Sequence, residues 1–143
     1  VVGFALFNRP PAKIFLGDSG SLPLGLIAGT ALLLLARETH IAAALILPLY
    51  YILDAGTTMI MRAMQGENIL KAHSRHAYQT AKRAGWSVAK VVTHVALLNI
   101  ILIACAAALL RFDHALAQCA FLLVALAATL ILILDFRGCF RKL

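Results

Sequence analysis

Apolar residues fall in long blocks rather than at helical or strand spacing, and the blocks set the architecture. Runs at 22–36, 41–61, 88–110 and 115–134 are almost free of charge. A helix that crosses a bilayer needs about 20 residues, with a range of roughly 17–25. The last three runs meet that length; the first, at 15 residues, is marginal unless it begins inside the Gly-rich turn before it. The chain opens on Val-Val-Gly-Phe-Ala-Leu-Phe, which reads as the tail of a helix already under way, so a missing N-terminal portion is expected. The predicted fold is all-α: a polytopic transmembrane helix bundle of about four full spans plus the end of another. Arg37-Glu-Thr-His40 and Arg111-Phe-Asp-His114 are turns of the length that joins antiparallel helices. Longer polar loops cover 8–21 and 62–87.

Composition agrees with a membrane setting. The 143 residues are 62% hydrophobic and only 13% charged, against about 25% charged in a typical soluble domain. Mean hydropathy is +0.90. The net charge of +7 comes from 13 Lys and Arg against 6 Asp and Glu. In a membrane protein such an excess concerns topology and anionic lipid first, and no nucleic-acid partner is expected. Alternating the spans puts Arg9, Lys13, Arg62, Lys71, Arg75, Lys82, Arg83, Lys90, Arg137, Arg141 and Lys142 on one side, and only Arg37 and Arg111 on the other. The positive-inside rule then places both long loops and the C-terminus in the cytoplasm. Cys105, Cys119 and Cys139 match no metal or redox spacing; the first two sit in apolar runs and read as small packing residues.

Three groups of polar residues carry candidate chemistry. The first is 17–21, Gly-Asp-Ser-Gly-Ser, at the entrance to the 22–36 run. A helix N-terminus favours anions and a carboxylate favours a hard cation, so Gly17, Asp18 and Ser19 suit a metal-bridged diphosphate; a plain helix N-cap by Asp18, Ser19 or Ser21 explains the same segment. The second is Asp54, an acid inside an apolar run, where an ionised side chain costs at least about 2.5–3.5 kcal/mol. It lines a site or pairs with a cation, and Arg62, eight residues on, lies on a similar helix face. The third is the basic loop with His73, Arg75, His76, Lys82 and Arg83. It fits phosphate binding, although a juxtamembrane loop that only touches anionic headgroups has the same composition. Two histidines at i, i+3 lack a third ligand, which argues against zinc. His40, His94 and His114 are isolated and read as packing or interface residues.

Together these pieces resemble a known family. The run Phe7-Asn-Arg-Pro-Pro-Ala-Lys-Ile-Phe-Leu-Gly-Asp-Ser-Gly-Ser21 is similar to the Pro-Ala-Lys-Ile-Phe-Met-Gly-Asp-x-Gly-Ser loop of the polyprenyl-phosphate N-acetylhexosamine-1-phosphate transferases (glycosyltransferase family 4). The segment from Asp54 to Arg62 resembles an Asp-plus-basic signature of the sugar-transferring branch. His76-Ala-Tyr-Gln-Thr-Ala-Lys-Arg-Ala-Gly85 lines up with that branch's histidine segment and trailing Arg-Ala-Gly. The resemblance covers about residues 3–110 in order, and it implies one integral-membrane transferase domain of which this chain is the C-terminal part.

The implied reaction moves a sugar 1-phosphate from a UDP-N-acetylhexosamine donor to undecaprenyl phosphate, with release of UMP and use of Mg²⁺. By the same resemblance Asp18 is the metal-binding and catalytic aspartate and His76 the catalytic histidine near the donor's phosphates. Lys13, Gly17, Ser19, Asp54, Arg62, His73, Arg75, Lys82 and Arg83 are candidates for substrate binding. A bacterial inner-membrane location follows, and a homodimer is compatible. Tyr78 and Gln79 stand where the family's motif has further histidines, a form closer to branches that build O-antigen or similar surface glycans. The family's paired aspartates and its Asn-x-x-Asn loop have no counterpart here, so the fragment alone is expected to be inactive. Two other classes remain open from the residues: a transporter or flippase-like module with Asp54 as a relay acid, and a non-catalytic remnant.

Overall fold

The computed structural model describes residues 2–8, 14–69, 71, 74–112 and 114–138. Among them there are seven helices and no strand: α1 (Val2–Asn8), α2 (Gly17–Glu38), α3 (Ile41–Ile46), α4 (Leu49–Met64), α5 (Ala77–Arg83), α6 (Val88–Arg111) and α7 (Ala115–Phe136). Three of these, α2, α6 and α7, are long and apolar enough to cross a membrane. At 1.5 Å per residue, helices of 22 to 24 residues are about 33–36 Å long, which matches the hydrocarbon thickness.

The 22–36 run does begin inside the Gly-rich turn, which gives it full length: α2 starts at Gly17, whose φ of +59° suits glycine. One expectation about the spans needs correction. The 41–61 run is not one continuous span. It breaks at Leu47–Pro48 into α3 and α4, since Pro48 has no N–H to bond back to the preceding turn. The two expected turns hold, with α2 ending at Glu38 before α3 and α6 ending at Arg111 before α7. In the 62–87 stretch α4 runs on to Met64 and α5 forms a separate short helix.

The core lies where α3, α4, α5, α6 and α7 meet. Leu98, Leu102, Cys105, Ala106 and Leu109 of α6 face Ala125, Leu132, Ile133 and Phe136 of α7, with Ala43, Ile46 and Tyr50 filling the other side. Ala77 and Ala81 of α5 are completely buried, and their small side chains let that helix approach α7 closely. Phe136 closes this end, its ring edge-on to Tyr50 at 6.5 Å and to Trp86 at 5.5 Å, with His94 tilted at 6.5 Å. Helix α2 packs on α3 but buries none of its own residues.

Helix α4 is inverted relative to a soluble helix. Tyr50, Asp54, Thr58 and Arg62, spaced by four, form its buried stripe, while Ile52, Met59, Ile60, Met61 and Met64 are exposed. Polar residues inside and apolar ones outside are what a lipid surround selects. Cys105 is buried as expected, but Cys119 is exposed. His40 is not a packing residue: its Nδ1 accepts from the Ala42 N–H at 3.3 Å and caps α3. His94 donates from Nδ1 to the Lys90 carbonyl at 2.8 Å and packs against Trp86. His114 occupies the N-cap position of α7 without a side-chain bond.

Candidate functional site

The polar stripe of α4 fixes the site, and its four residues do different work. Asp54 is 4% exposed. Its Oδ1 accepts the Ala77 N–H at 2.8 Å, the first amide of α5, so a residue from one helix caps the next. Its Oδ2 lies 3.4 Å from His76 Nδ1, and Arg137 reaches to 3.9 Å of Oδ1 from the C-terminal end of α7. Arg137 also donates to Thr57 Oγ1 at 2.8 Å and Thr58 Oγ1 at 3.2 Å. Three separated parts of the sequence therefore converge on one carboxylate.

Arg62 is spent elsewhere. Its guanidinium, 3% exposed, donates to Glu67 at 3.2 Å and to the carbonyls of Asn68, Ile69 (3.2 Å) and Lys71 (3.1 Å). It does not pair with Asp54, as the shared helix face suggested, and it is not presented to a ligand. Instead it gathers the chain after α4 into a tight loop, because buried N–H donors and loop carbonyls must satisfy one another. That placement corrects the reading of Arg62 as a substrate contact.

The other basic residues divide between scaffold and surface. Arg75 is half exposed, with one nitrogen 2.6 Å from both Gln65 and Glu67. Arg83 donates to the carbonyl of Ser74 and to Thr80 Oγ1, pinning the segment just before His76. Lys82 is exposed. Lys90 sits over the Trp86 ring at 3.8 Å, a cation–π contact. Lys13 and His73 lie outside the described residues.

Beside Asp54 opens a cleft of about 390 Å³ lined by Tyr50, Tyr51, Asp54, Ala55, His76 and Tyr78. The His76 and Tyr78 rings are nearly parallel, 6.0 Å apart. The tyrosines also line a neighbouring cleft of about 380 Å³, which continues along Val91, Val92, Val95, Ala96 and Asn99 of α6. The first cleft carries the ionisable Asp54 and His76, while the second is walled by aliphatic side chains, the tyrosines and Asn99. The Tyr50 hydroxyl is buried without a hydrogen-bond partner. Sequence reasoning did not single out Tyr50, Tyr51 or Arg137, and marked Tyr78 only as a departure from the family's histidine motif. Tyr50 was legible as the residue four before Asp54; Arg137 counted only toward charge, and nothing local tied it to α4.

Asp18 stands apart from this cluster. It lies in the first turn of α2, exposed, and no side chain caps that helix. The N-cap reading of Asp18, Ser19 or Ser21 is therefore not what the structure adopts. Among the described residues no three His, Cys, Asp or Glu side chains group to hold a metal ion. A lone carboxylate fits Mg²⁺ in its usual mode, one or two protein oxygens with water and substrate phosphates making up the rest. The structure does not bring Asp18 into contact with Asp54 or His76.

Residues 1–36, which contain the Asp18 loop, match the sequence profile of glycosyl transferase family 4. The phospho-N-acetylmuramoyl-pentapeptide-transferase of Carboxydothermus hydrogenoformans is 33% identical over 106 residues, 72% of this chain and 31% of that protein. The same-named protein of Thermotoga maritima is 33% identical over 105 residues, 71% of this chain and 33% of its own. That of Rickettsia akari is 31% identical over 110 residues, 70% of this chain and 27% of its own. The chain thus spans about a third of the length of the curated relatives it matches. No solved structure matches it.

Proposed function

We propose, since this chain belongs to glycosyl transferase family 4, the polyprenyl-phosphate sugar-1-phosphate transferases, that the intact protein transfers an amino-sugar 1-phosphate from a UDP-sugar to undecaprenyl phosphate and releases UMP. The observation that carries the reading is that the family match falls on residues 1–36, where Asp18 stands exposed at the entrance to a membrane-length helix. In this reading the protein sits in a bacterial inner membrane with its loops cytoplasmic, and α3 and α4 together make one broken crossing, for which the basic residues partition eleven to two.

The chemistry has to overcome repulsion between two anions, the donor diphosphate and the acceptor phosphate. Mg²⁺ bound at Asp18 would supply charge neutralisation on the diphosphate. The chain's own cations do the rest: exposed Lys82 and half-exposed Arg75 raise the positive potential beside the cleft, and His76 faces it from the start of α5. The acceptor's phosphate attacks the β-phosphorus, the bond to the UMP oxygen breaks, and the lipid chain lies along the cleft beside α6.

The finer reading concerns the pathway. His76-Ala77-Tyr78-Gln79 favours initiation of an O-antigen-type surface glycan, whereas the relatives named above are peptidoglycan-precursor transferases. The test is UMP release by the intact protein with undecaprenyl phosphate and a panel of UDP-sugars. UDP-N-acetylglucosamine or an N-acetylated deoxysugar as sole donor supports the surface-glycan reading. Turnover only with UDP-N-acetylmuramoyl-pentapeptide replaces it with the peptidoglycan branch. No UMP from any donor removes the transferase reading itself.

A further inference from the structure

We propose that the outer groove between α6 and α7 holds a phospholipid whose head group ends in a primary ammonium, phosphatidylethanolamine being the type. The groove of about 280 Å³ is walled by positions 94, 97, 98 and 101 of α6 and 128, 131, 132 and 135 of α7. Each set follows the i, i+3, i+4, i+7 spacing of one helix face, so two antiparallel stripes confront each other. Leu97, Ile101 and Ile131 are exposed, and the groove opens on the outside of the bundle. Six of the eight residues are aliphatic; the two ionisable ones, His94 and Asp135, share the end where α6 begins and α7 finishes. Each wall is about 10 Å long, two-thirds of the roughly 15 Å that one leaflet's hydrocarbon occupies. An apolar trough with polar groups at one end fits an acyl chain from one leaflet with its head group at the surface.

Charge at the mouth selects the head group. The last turn of α7 contains Asp135 and no base, the reverse of what the negative end of a helix dipole favours. Arg137, two residues on, is turned the other way, onto Thr57, Thr58 and Asp54. Among the described residues Asp135 makes no ion pair, although the chain carries 13 Lys and Arg. His94 donates from Nδ1 to the Lys90 carbonyl at 2.8 Å, so in the neutral ring Nε2 is an acceptor. Two acceptors at one mouth suit an ammonium, which donates three hydrogen bonds and neutralises the acid. The Lys90 ammonium, held over Trp86 at 3.8 Å one turn before His94, offers the matching charge for the lipid's phosphate. A trimethylammonium head group has no N–H to give, and a purely anionic one sets its charge against Asp135.

The groove is separate from the cleft beside Asp54, and its occupancy is read without turnover, so the proposal stands or falls independently of the transferase reading. The intact protein in detergent is titrated with phospholipids of identical acyl chains, and bound adducts are counted by native mass spectrometry. Phosphatidylethanolamine is expected to bind about tenfold more tightly than phosphatidylcholine, the scale of one charge-assisted hydrogen bond. Asp135→Asn, with helicity unchanged by circular dichroism, should bring the two lipids to equal affinity. Equal binding of both lipids by the wild type overturns the proposal without recourse to a variant. A preference that survives Asp135→Asn overturns it as well, and so does equimolar phosphatidylglycerol displacing most of the phosphatidylethanolamine.

Discussion

Replacing Arg62 with Met keeps most of its volume and removes every hydrogen bond its side chain makes. The guanidinium holds Glu67 and the carbonyls of Asn68, Ile69 and Lys71. Bonds to a charged group contribute about 1.5–3 kcal/mol each, but Asn68, Ile69 and Lys71 are exposed and Glu67 is a third exposed, so freed carbonyls regain water. The net loss is therefore about 3 kcal/mol, toward the low end for breaking a buried charged cluster. That corresponds to roughly a 150-fold rise in the opening equilibrium of the loop. The Glu67 amide bonds the Arg62 carbonyl at 3.0 Å and the Lys71 amide the Asn68 carbonyl at 3.2 Å, so hydrogen exchange at these two sites reads the opening directly. Exchange there should accelerate about two orders of magnitude while α6 and α7 stay protected. Rates at Glu67 and Lys71 within about threefold of the wild type would refute the account of Arg62 as the loop's clamp.

Other perturbations follow from the same geometry. Phe136→Ala empties a fully buried site ringed by Tyr50, Trp86 and His94 and should cost about 3 kcal/mol; denaturant unfolding in detergent that moves by less than about 1 kcal/mol would contradict that packing role. Gly85 turns the chain between α5 and α6 at φ +93°, so Gly85→Ala should destabilise by about 1–2 kcal/mol, and an unchanged unfolding midpoint would show that the turn relaxes freely. Asp18→Asn should abolish Mg²⁺-dependent UMP release and leave unfolding unchanged, since the carboxylate is exposed and, among the described residues, forms no cap bond to α2; near-normal turnover would remove Asp18 from the mechanism.

What the chain made legible was the long-period information. Blocks of apolar residues marked α2, α6 and α7, and Asp54 and Arg62 stood out as polar residues in an apolar run. Their shared face was correct, but their partners were not, because those depend on where other elements land. Asp54 meets His76, 22 positions away, and Arg137, 83 positions away; a single sequence offers no signal that α7 returns to α4. The break at Pro48 was written in the sequence and outweighed by the apolar average across it. Arg62 read as a ligand contact because burial, which turns a phosphate-binding cation into a loop clamp, is a tertiary property. The aromatic cleft was invisible for the same reason: Tyr50, Tyr51 and Tyr78 come from two helices and acquire a common lining only when α5 docks.

The central claim is that a phosphoryl group and its sugar move together onto lipid. A UDP-N-acetylhexosamine donor labelled with ³²P at the β-phosphate, incubated with the intact protein, undecaprenyl phosphate and Mg²⁺, tests it most directly. The account predicts label in the organic phase as lipid diphosphate sugar, with unlabelled UMP in water. Label retained in the aqueous phase as UDP, with or without sugar on the lipid, would contradict it.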